Sequence, residues 1–357
     1  MHRKNIFLKT ALVLSLVLFI SSFSLAAKKD KEGDDLKIKG KAYIQWQDDL
    51  EEDQHSFGVT RAYLQFLKKL DDTFSVKITA DAINNLPSDD SAGNTSKSNT
   101  YEFYLKNAYL NAKKKITDDL KCSFSLGMIG TPNIGVVDSL SDYRWVYNNY
   151  LDKSKNILGT SLDTSADLGA SLNFNIMKMV SLTGALTNGE GYKQASEESN
   201  GKSIYGTVSI NPFKLGEDKK GDGLFINGYL KRTNGFVEDG DNLLSYYGGG
   251  VAWKSKLIKV GANIYAGEKK SSDQKFSLFD SYLHSNLDCV IKMPVLVMGR
   301  FAFGKDKDNS DSKVTKMGIG AGYKFCKSVR SLLYYEKTQY ETIKSNDMLY
   351  LKTEVKY

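Results

Sequence analysis

Apolar and polar residues alternate with a period of two through most of the chain. In KIKGKAYIQW (37–46), Ile38, Ala42, Ile44 and Trp46 share one face, while Lys37, Lys39, Lys41, Tyr43 and Gln45 share the other. TFSVKITADA (73–82), LKCSFSLGM (120–128) and MLYLKTEVKY (348–357) divide in the same way. Such a period is the signature of a strand with one apolar face. Read along its length, the chain predicts about sixteen strands: 36–47, 56–68, 73–84, 100–113, 118–130, 163–175, 179–189, 202–212, 223–234, 244–255, 257–268, 276–290, 295–304, 313–325, 329–340 and 347–357. No segment carries convincing helical periodicity. Pro87, Pro132 and Pro294 fall in the predicted connections and Pro212 is the last residue of its predicted strand, places where a missing N–H disturbs the ladder least.

The connections alternate too. Short turns such as KKLDD (68–72), NIMKM (175–179) and CKS (326–328) exchange with long polar loops such as NNLPSDDSAGNTSKSN (84–99) and NGEGYKQASEESNGK (188–202). Short turns at one end and long loops at the other describe an all-β, transmembrane antiparallel barrel, and an even strand count returns both termini to the turn end. In hydrocarbon an open sheet edge is not viable, so the sheet must close. The charges sort accordingly: Lys41, Arg61, Lys77, Asp81, Asp167, Lys259 and Lys352 all fall on the more polar face of their strands. A lysine or arginine on the lipid face at mid-bilayer would cost about 2–4 kcal/mol. YEFYLKNAYLNA (101–112) reads either way. Its NAYL echoes RAYL (61–64), which turns Asn107 and Tyr109 inward and leaves Lys106 unassigned.

One long connection, 131–162, breaks the rule that surface loops are small and polar. It holds Tyr143, Trp145, Val146, Tyr147 and Tyr150 around Arg144. A barrel of about sixteen strands leaves a channel wider than its own side chains fill. A loop folded into that channel would bury its aromatic surface against the wall. Arg144 would then face solutes, pair with a wall carboxylate such as Asp167, or do both. An outward loop that contacts a partner is the competing arrangement.

The ends and the composition refine this picture. MHRKNIFLK followed by ALVLSLVLFI and SSFSLAA reads as a secretory signal peptide over residues 1–26. A short charged lead (27–35) and the barrel (36–357) follow. Losing Arg3, Lys4 and Lys9 with the signal lowers the formal charge from +7 to +4, which implies no nucleic-acid role. Cys122, Cys289 and Cys326 are odd in number and widely spaced, so neither a disulfide framework nor a metal site is expected. His55 and His284 alone remain after His2 leaves with the signal, too few for a catalytic constellation. The expectation is therefore no enzyme, no cofactor and no metal. The inward faces lean basic: Lys41, Arg61, Lys77, Lys231, Lys254, Lys259 and Lys352 stand against Asp81, Asp167, Asp280 and Glu354. This predicts a passive channel for small hydrophilic solutes and ions with a weak anion preference. A non-conducting barrel for adhesion or envelope anchoring and a soluble β-rich binding protein are the alternatives.

The chain stops on Tyr357, with Val355, Leu351 and Leu349 on the same face. This resembles the terminal aromatic signature that barrel-assembly machinery reads on outer-membrane proteins. GMIGTP (127–132), DYRWVY (142–147), SADLGASL (165–172) and LTNGEGY (186–192) also resemble, in that order, the central region of bacterial outer-membrane porins. The porins meant are those grouped loosely with the phosphate-selective porins O and P. The likeness spans about residues 56–192. It implies a sixteen-stranded pore in the outer membrane, a homotrimer, and a third loop folded into the lumen. The phosphate-selective members cluster lysines at the constriction; here the corresponding loop offers Lys153 and Lys155 beside Arg144.

Overall fold

The computed structural model describes residues 36–52, 54–84, 101–152, 155–158, 161–194, 201–214, 222–234, 244–269, 274–288, 292–306, 313–341 and 345–357. The proposed signal peptide and charged lead, 1–35, and Cys289 lie outside the described residues.

The alternating segments form sixteen antiparallel strands: β1 (Leu36–Asp49), β2 (Gln54–Lys69), β3 (Phe74–Asn84), β4 (Tyr101–Lys115), β5 (Leu120–Gly130), β6 (Ala166–Ile176), β7 (Val180–Thr187), β8 (Lys202–Lys214), β9 (Gly223–Asn234), β10 (Leu244–Lys254), β11 (Ile258–Lys269), β12 (Gln274–Asn286), β13 (Val295–Asp306), β14 (Val314–Lys324), β15 (Val329–Tyr340) and β16 (Asn346–Lys356). Each pairs with its sequence neighbours, and β1 pairs with β16, so the barrel closes. Closure satisfies every ladder and leaves no edge. The expected strands are all present, with ends that differ by a few residues.

The period of two separates the faces as expected. Phe103, Leu126, Tyr247, Ile264 and Ile319 point outward and expose more than half their surface. Tyr205, Tyr229, Tyr265, Tyr334 and Asp280 point inward and are buried. The seam closes on the last residue. Gly40 N–H donates to the Tyr357 carbonyl at 2.7 Å, and Tyr357 N–H returns a bond to Gly40 at 3.0 Å. The Tyr357 ring lies over Gly40, where any Cβ would fall inside the ring.

Two departures from the sequence expectation concern irregular backbone. First, Thr79 pairs with Asn107 and Ala80 with Leu105, so Lys106 is the extra residue of a β-bulge. A bulge lets two consecutive side chains take one face. Lys106 and Asn107 are accordingly both buried inside, a position that strict alternation could not assign to Lys106. Second, the long connection contains helices, against the expectation of none: α1 (Pro132–Ser141) and the single turn α2 (Lys155–Leu158). Thr131 caps α1 in an extended conformation, Pro132 starts it, and Asp142 ends it in the left-handed region at φ 57°. Pro suits a first turn because its missing N–H would have no partner there.

Candidate functional site

The connection between β5 and β6 runs inside the barrel. Its apolar side chains form two clusters with the wall. Ile134, Val137, Tyr150, Leu151, Ile157, Leu158 and Leu162 pack on Tyr229, Tyr246, Tyr265, Phe276, Leu278, Ala302 and Val314 of β9 to β14. Tyr143, Trp145, Val146 and Tyr147 pack on Tyr282, Met298, Leu332, Tyr334 and Tyr350, and reach Tyr43 and Tyr63 of β1 and β2. Burial of these side chains, at about 1.5–3 kcal/mol each, is what draws the loop inward.

Polar contacts fix where it sits. At the returning arm, Asp163 accepts hydrogen bonds from the hydroxyls of Tyr205 and Tyr246, both at 2.8 Å, and pairs with Lys231 at 3.3 Å. On α1, the Asn133 amide donates to the Tyr246 hydroxyl at 2.8 Å and its carbonyl accepts from Thr207 at 2.6 Å. Wall cations bind loop carbonyls: Lys231 to Leu162 at 3.0 Å, Lys254 to Ser139 at 2.9 Å, and Lys352 to Val146 at 2.5 Å. Lys259 pairs with Asp142 at 3.3 Å. Burial alone would raise the Asp142 carboxyl, but Lys259 and Arg330 outweigh it and hold the group below the ordinary carboxylate range.

Three arginines organise the aromatic residues. Arg300 bonds Asp280 at 3.1 Å and the Asn148 carbonyl at 3.0 Å. Its guanidinium lies 3.8 Å from the Tyr147 ring centre and 3.7 Å from that of Tyr150, sandwiched between them. Arg330 pairs with Glu354 at 2.5 Å and stands over Trp145 at 4.8 Å. Arg144 does not pair with Asp167. It bonds Asp138 at 2.6 Å and also Asp152, so two carboxylates of its own loop hold it. His284 is stacked between Tyr143 and Tyr282, accepts or donates to the Tyr147 hydroxyl at 2.7 Å, and meets the Ser141 carbonyl at 3.1 Å. Burial pushes the Tyr143 and Tyr150 phenols up to about 12, so both stay neutral.

Facing Arg144 from β2, β3 and β4 is a second charged group. Asp81 is fully buried. It pairs with Arg61 at 3.3 Å and Lys106 at 3.6 Å, and accepts the Tyr192 hydroxyl at 2.9 Å. The Lys106 ammonium lies 5.0 Å from the Tyr63 ring centre and 5.1 Å from that of Tyr192. Arg144 and Asp152 are within electrostatic reach of both Lys106 and Tyr63. Across this part of the lumen Arg61, Lys106 and Arg144 are therefore set among Asp81, Asp138 and Asp152. Space remains beside it. Gly135 of α1 is exposed and a Cβ there would meet no atom within 4 Å; Lys41, Lys77, Tyr104 and Tyr109 on the uncovered wall are half-buried.

Each residue singled out in the sequence can now be located. Tyr143, Trp145 and Tyr147 are buried in the loop–wall contact. Arg61 and Asp81 pair across β2 and β3. Lys41 and Lys77 line the open wall, with Lys77 over the Tyr109 ring at 5.9 Å. Lys259 and Lys352 hold the loop. Asp167 caps the connection after β7, accepting Thr187 at 2.6 Å and the N–H groups of Gly189 at 2.6 Å and Gly191 at 3.2 Å. That cap places Tyr192 against Asp81. Tyr357 closes the seam. Lys153 and the side chain of Lys155 lie outside the described residues. Lys106 is left unassigned by the sequence, and Asp163, Tyr192, Arg300 and Arg330 are not singled out by it. Tyr192 lies in LTNGEGY and Asp163 beside TSADLG, while the others sit at strand positions whose partners only the fold brings near. Among the described residues no group of His, Cys, Asp or Glu is placed to hold a metal ion.

No family model and no curated protein matches the chain. Solved structures do. The barrel superposes on Salmonella typhi OmpF in complex with daunomycin with a TM-score of 0.65 at 10% identity, over 93% of this chain and 100% of that one. An anion-selective porin from Comamonas acidovorans gives 0.61 at 10% identity, over 91% and 100%. The outer membrane channel DcaP of Acinetobacter baumannii gives 0.60 at 14% identity, over 93% and 100%. At these identities the likeness is one of fold.

Proposed function

We propose that this protein is an outer-membrane porin, a passive diffusion channel for small hydrophilic solutes and ions with a weak anion preference. The observation that carries the reading is the loop's one-sided docking. The described residues of the connection between β5 and β6 pack mainly on β7 to β16 and leave the inward faces of β1 to β5 partly accessible. A barrel with its loop pressed to one side is narrowed rather than filled, which is what a size-limited channel requires. The mixed signs at the constriction support general diffusion rather than selectivity for phosphate. The outward apolar band suits hydrocarbon. Residues 1–26 would direct export and be removed, and Tyr357 would serve assembly. The fold likeness to porins supports the same reading, and a homotrimer is the assembly we expect.

Liposome swelling tests it. Vesicles holding the refolded protein should swell in small sugars and amino acids, with rates that fall steeply as solute size grows. One observation favours a second reading, a non-conducting barrel: Tyr43 and Tyr63 join the loop cluster across the lumen. On that reading, well-inserted protein gives vesicles that swell no faster than empty ones.

A further inference from the structure

The lumen is not evenly charged along its axis. On the turn-end half of the uncovered wall, six lysines take the inward positions of neighbouring strands: Lys37, Lys39 and Lys41 on β1, Lys77 on β3, Lys113 on β4 and Lys121 on β5. Each alternates with outward apolar residues such as Ile38, Ile78, Leu110 and Phe124. Lys77 lies within electrostatic reach of Lys39, Lys41 and Lys106. None of the six has a carboxylate within ion-pair distance among the described residues. The turn acids nearby are engaged elsewhere: Asp72 by Lys69, Asp118 by Lys115, and Asp71 by the N–H groups of Thr73 and Phe74.

The remaining lumen differs. The constriction holds three cations and three carboxylates. At the loop end the inward Lys316 is paired with Glu336 at 3.5 Å. Beside the lysines, β6 to β9 present Asn173, Thr207 and Asn227, which are neutral.

We propose that these six lysines form a basic vestibule that makes the channel rectify ionic current. The inference rests on the diffusion-channel reading above. A pore with fixed positive charge at one end passes mainly anions there and both ions elsewhere. With the loop end positive, anions arriving through the vestibule meet cations arriving from the loop end, so the rest of the pore fills with carriers. The opposite polarity draws both away and depletes it. Current is therefore larger with the loop end positive, and inorganic anions dominate the flux through the turn end. The effect must depend on salt, because fields reach about 10 Å at 0.1 M but only about 3 Å at 1 M.

The test records single channels in planar bilayers in KCl, one insertion at a time so that opposite orientations do not average. We expect unequal currents at opposite polarities in 0.1 M KCl, with the ratio falling to unity at 1 M. An impermeant amine-acylating reagent too large for the pore should abolish the asymmetry from one compartment only, and current should be larger when the other compartment is positive. The variant Lys39→Gln/Lys41→Gln/Lys77→Gln/Lys113→Gln should conduct with equal currents. Symmetric currents in 0.1 M KCl from the unaltered protein would overturn the proposal while leaving a porin. Asymmetry that survives acylation from either side would also overturn it. If the variant fails to insert, the salt and acylation measurements on the unaltered protein still decide. An inserted barrel without current removes this proposal and the porin reading together.

Discussion

Arg300 shows how much one side chain can carry. It is buried, its charge is matched by Asp280, and its two faces are covered by Tyr147 and Tyr150. Removing one partner of a buried ion pair typically costs about 3–5 kcal/mol. Arg300→Ala should therefore lower stability by about that amount, read as a lower midpoint for urea unfolding in vesicles, and should make the conductance noisier as the loop loosens. Asp280→Asn in the same chain should recover part of the midpoint. Lys106 is a contrasting case. Asp81 keeps Arg61 and Tyr192 when Lys106 is lost, so Lys106→Met should leave the unfolding midpoint nearly unchanged. It should instead shift the reversal potential toward cation preference. Asp142 adds a pH dependence. Its folded carboxyl is held below the ordinary value of 3.8, so its contribution is complete above that value and is lost as pH falls through the lowered folded value. The difference in channel noise between the native protein and Asp142→Asn should be constant from neutral pH down to about 4 and vanish only below it.

At the scale of elements, strand and loop meet through small residues. Gly304 of β13 lies under Ile157 and Leu158 of α2, where a Cβ would strike Ile157. Gly304→Val should push α2 off the wall and alter conductance without unfolding the barrel. At the seam, Gly40→Val should displace the Tyr357 ring and reduce the fraction of heat-modifiable folded barrel on gels. Adding Tyr357→Ala should restore it, since the obstructing ring is then gone. The strands themselves were legible, because lipid and lumen impose opposite demands on successive residues and the period of two survives in every segment. The inward loop was legible for the same kind of reason: Tyr143, Trp145, Tyr147 and Tyr150 need a covered place. The bulge at Lys106 was not, since a bulge suspends the alternation on which the reading depends. Nor was α1 read as a helix. It is only ten residues long, and Gly135 and Ser139 interrupt its polar side, although Ile134, Val137 and Leu140 do follow helical spacing on its buried face. The partner of Arg144 escaped because Asp138 and Asp152 lie in its own loop, whereas a wall carboxylate was the more obvious choice.

At the scale of the whole molecule, the cations divide into two populations. Lys231, Lys254, Lys259, Arg300, Arg330 and Lys352 are committed to holding the loop on one side of the lumen. The lysines of β1, β3, β4 and β5 are not, and they face the space the loop leaves. A basic lean of the lumen is readable from the residues as a sum, but only the fold separates structural cations from those available to a solute. Conduction through that uncovered space is the central claim. The direct measurement is conductance of the detergent-purified, refolded protein in a planar bilayer, with the reversal potential read under a KCl gradient. Stepwise openings with a reversal potential of anion-preferring sign are the predicted result. A barrel shown to be inserted that passes no current would contradict it, and would make the aromatic loop a plug.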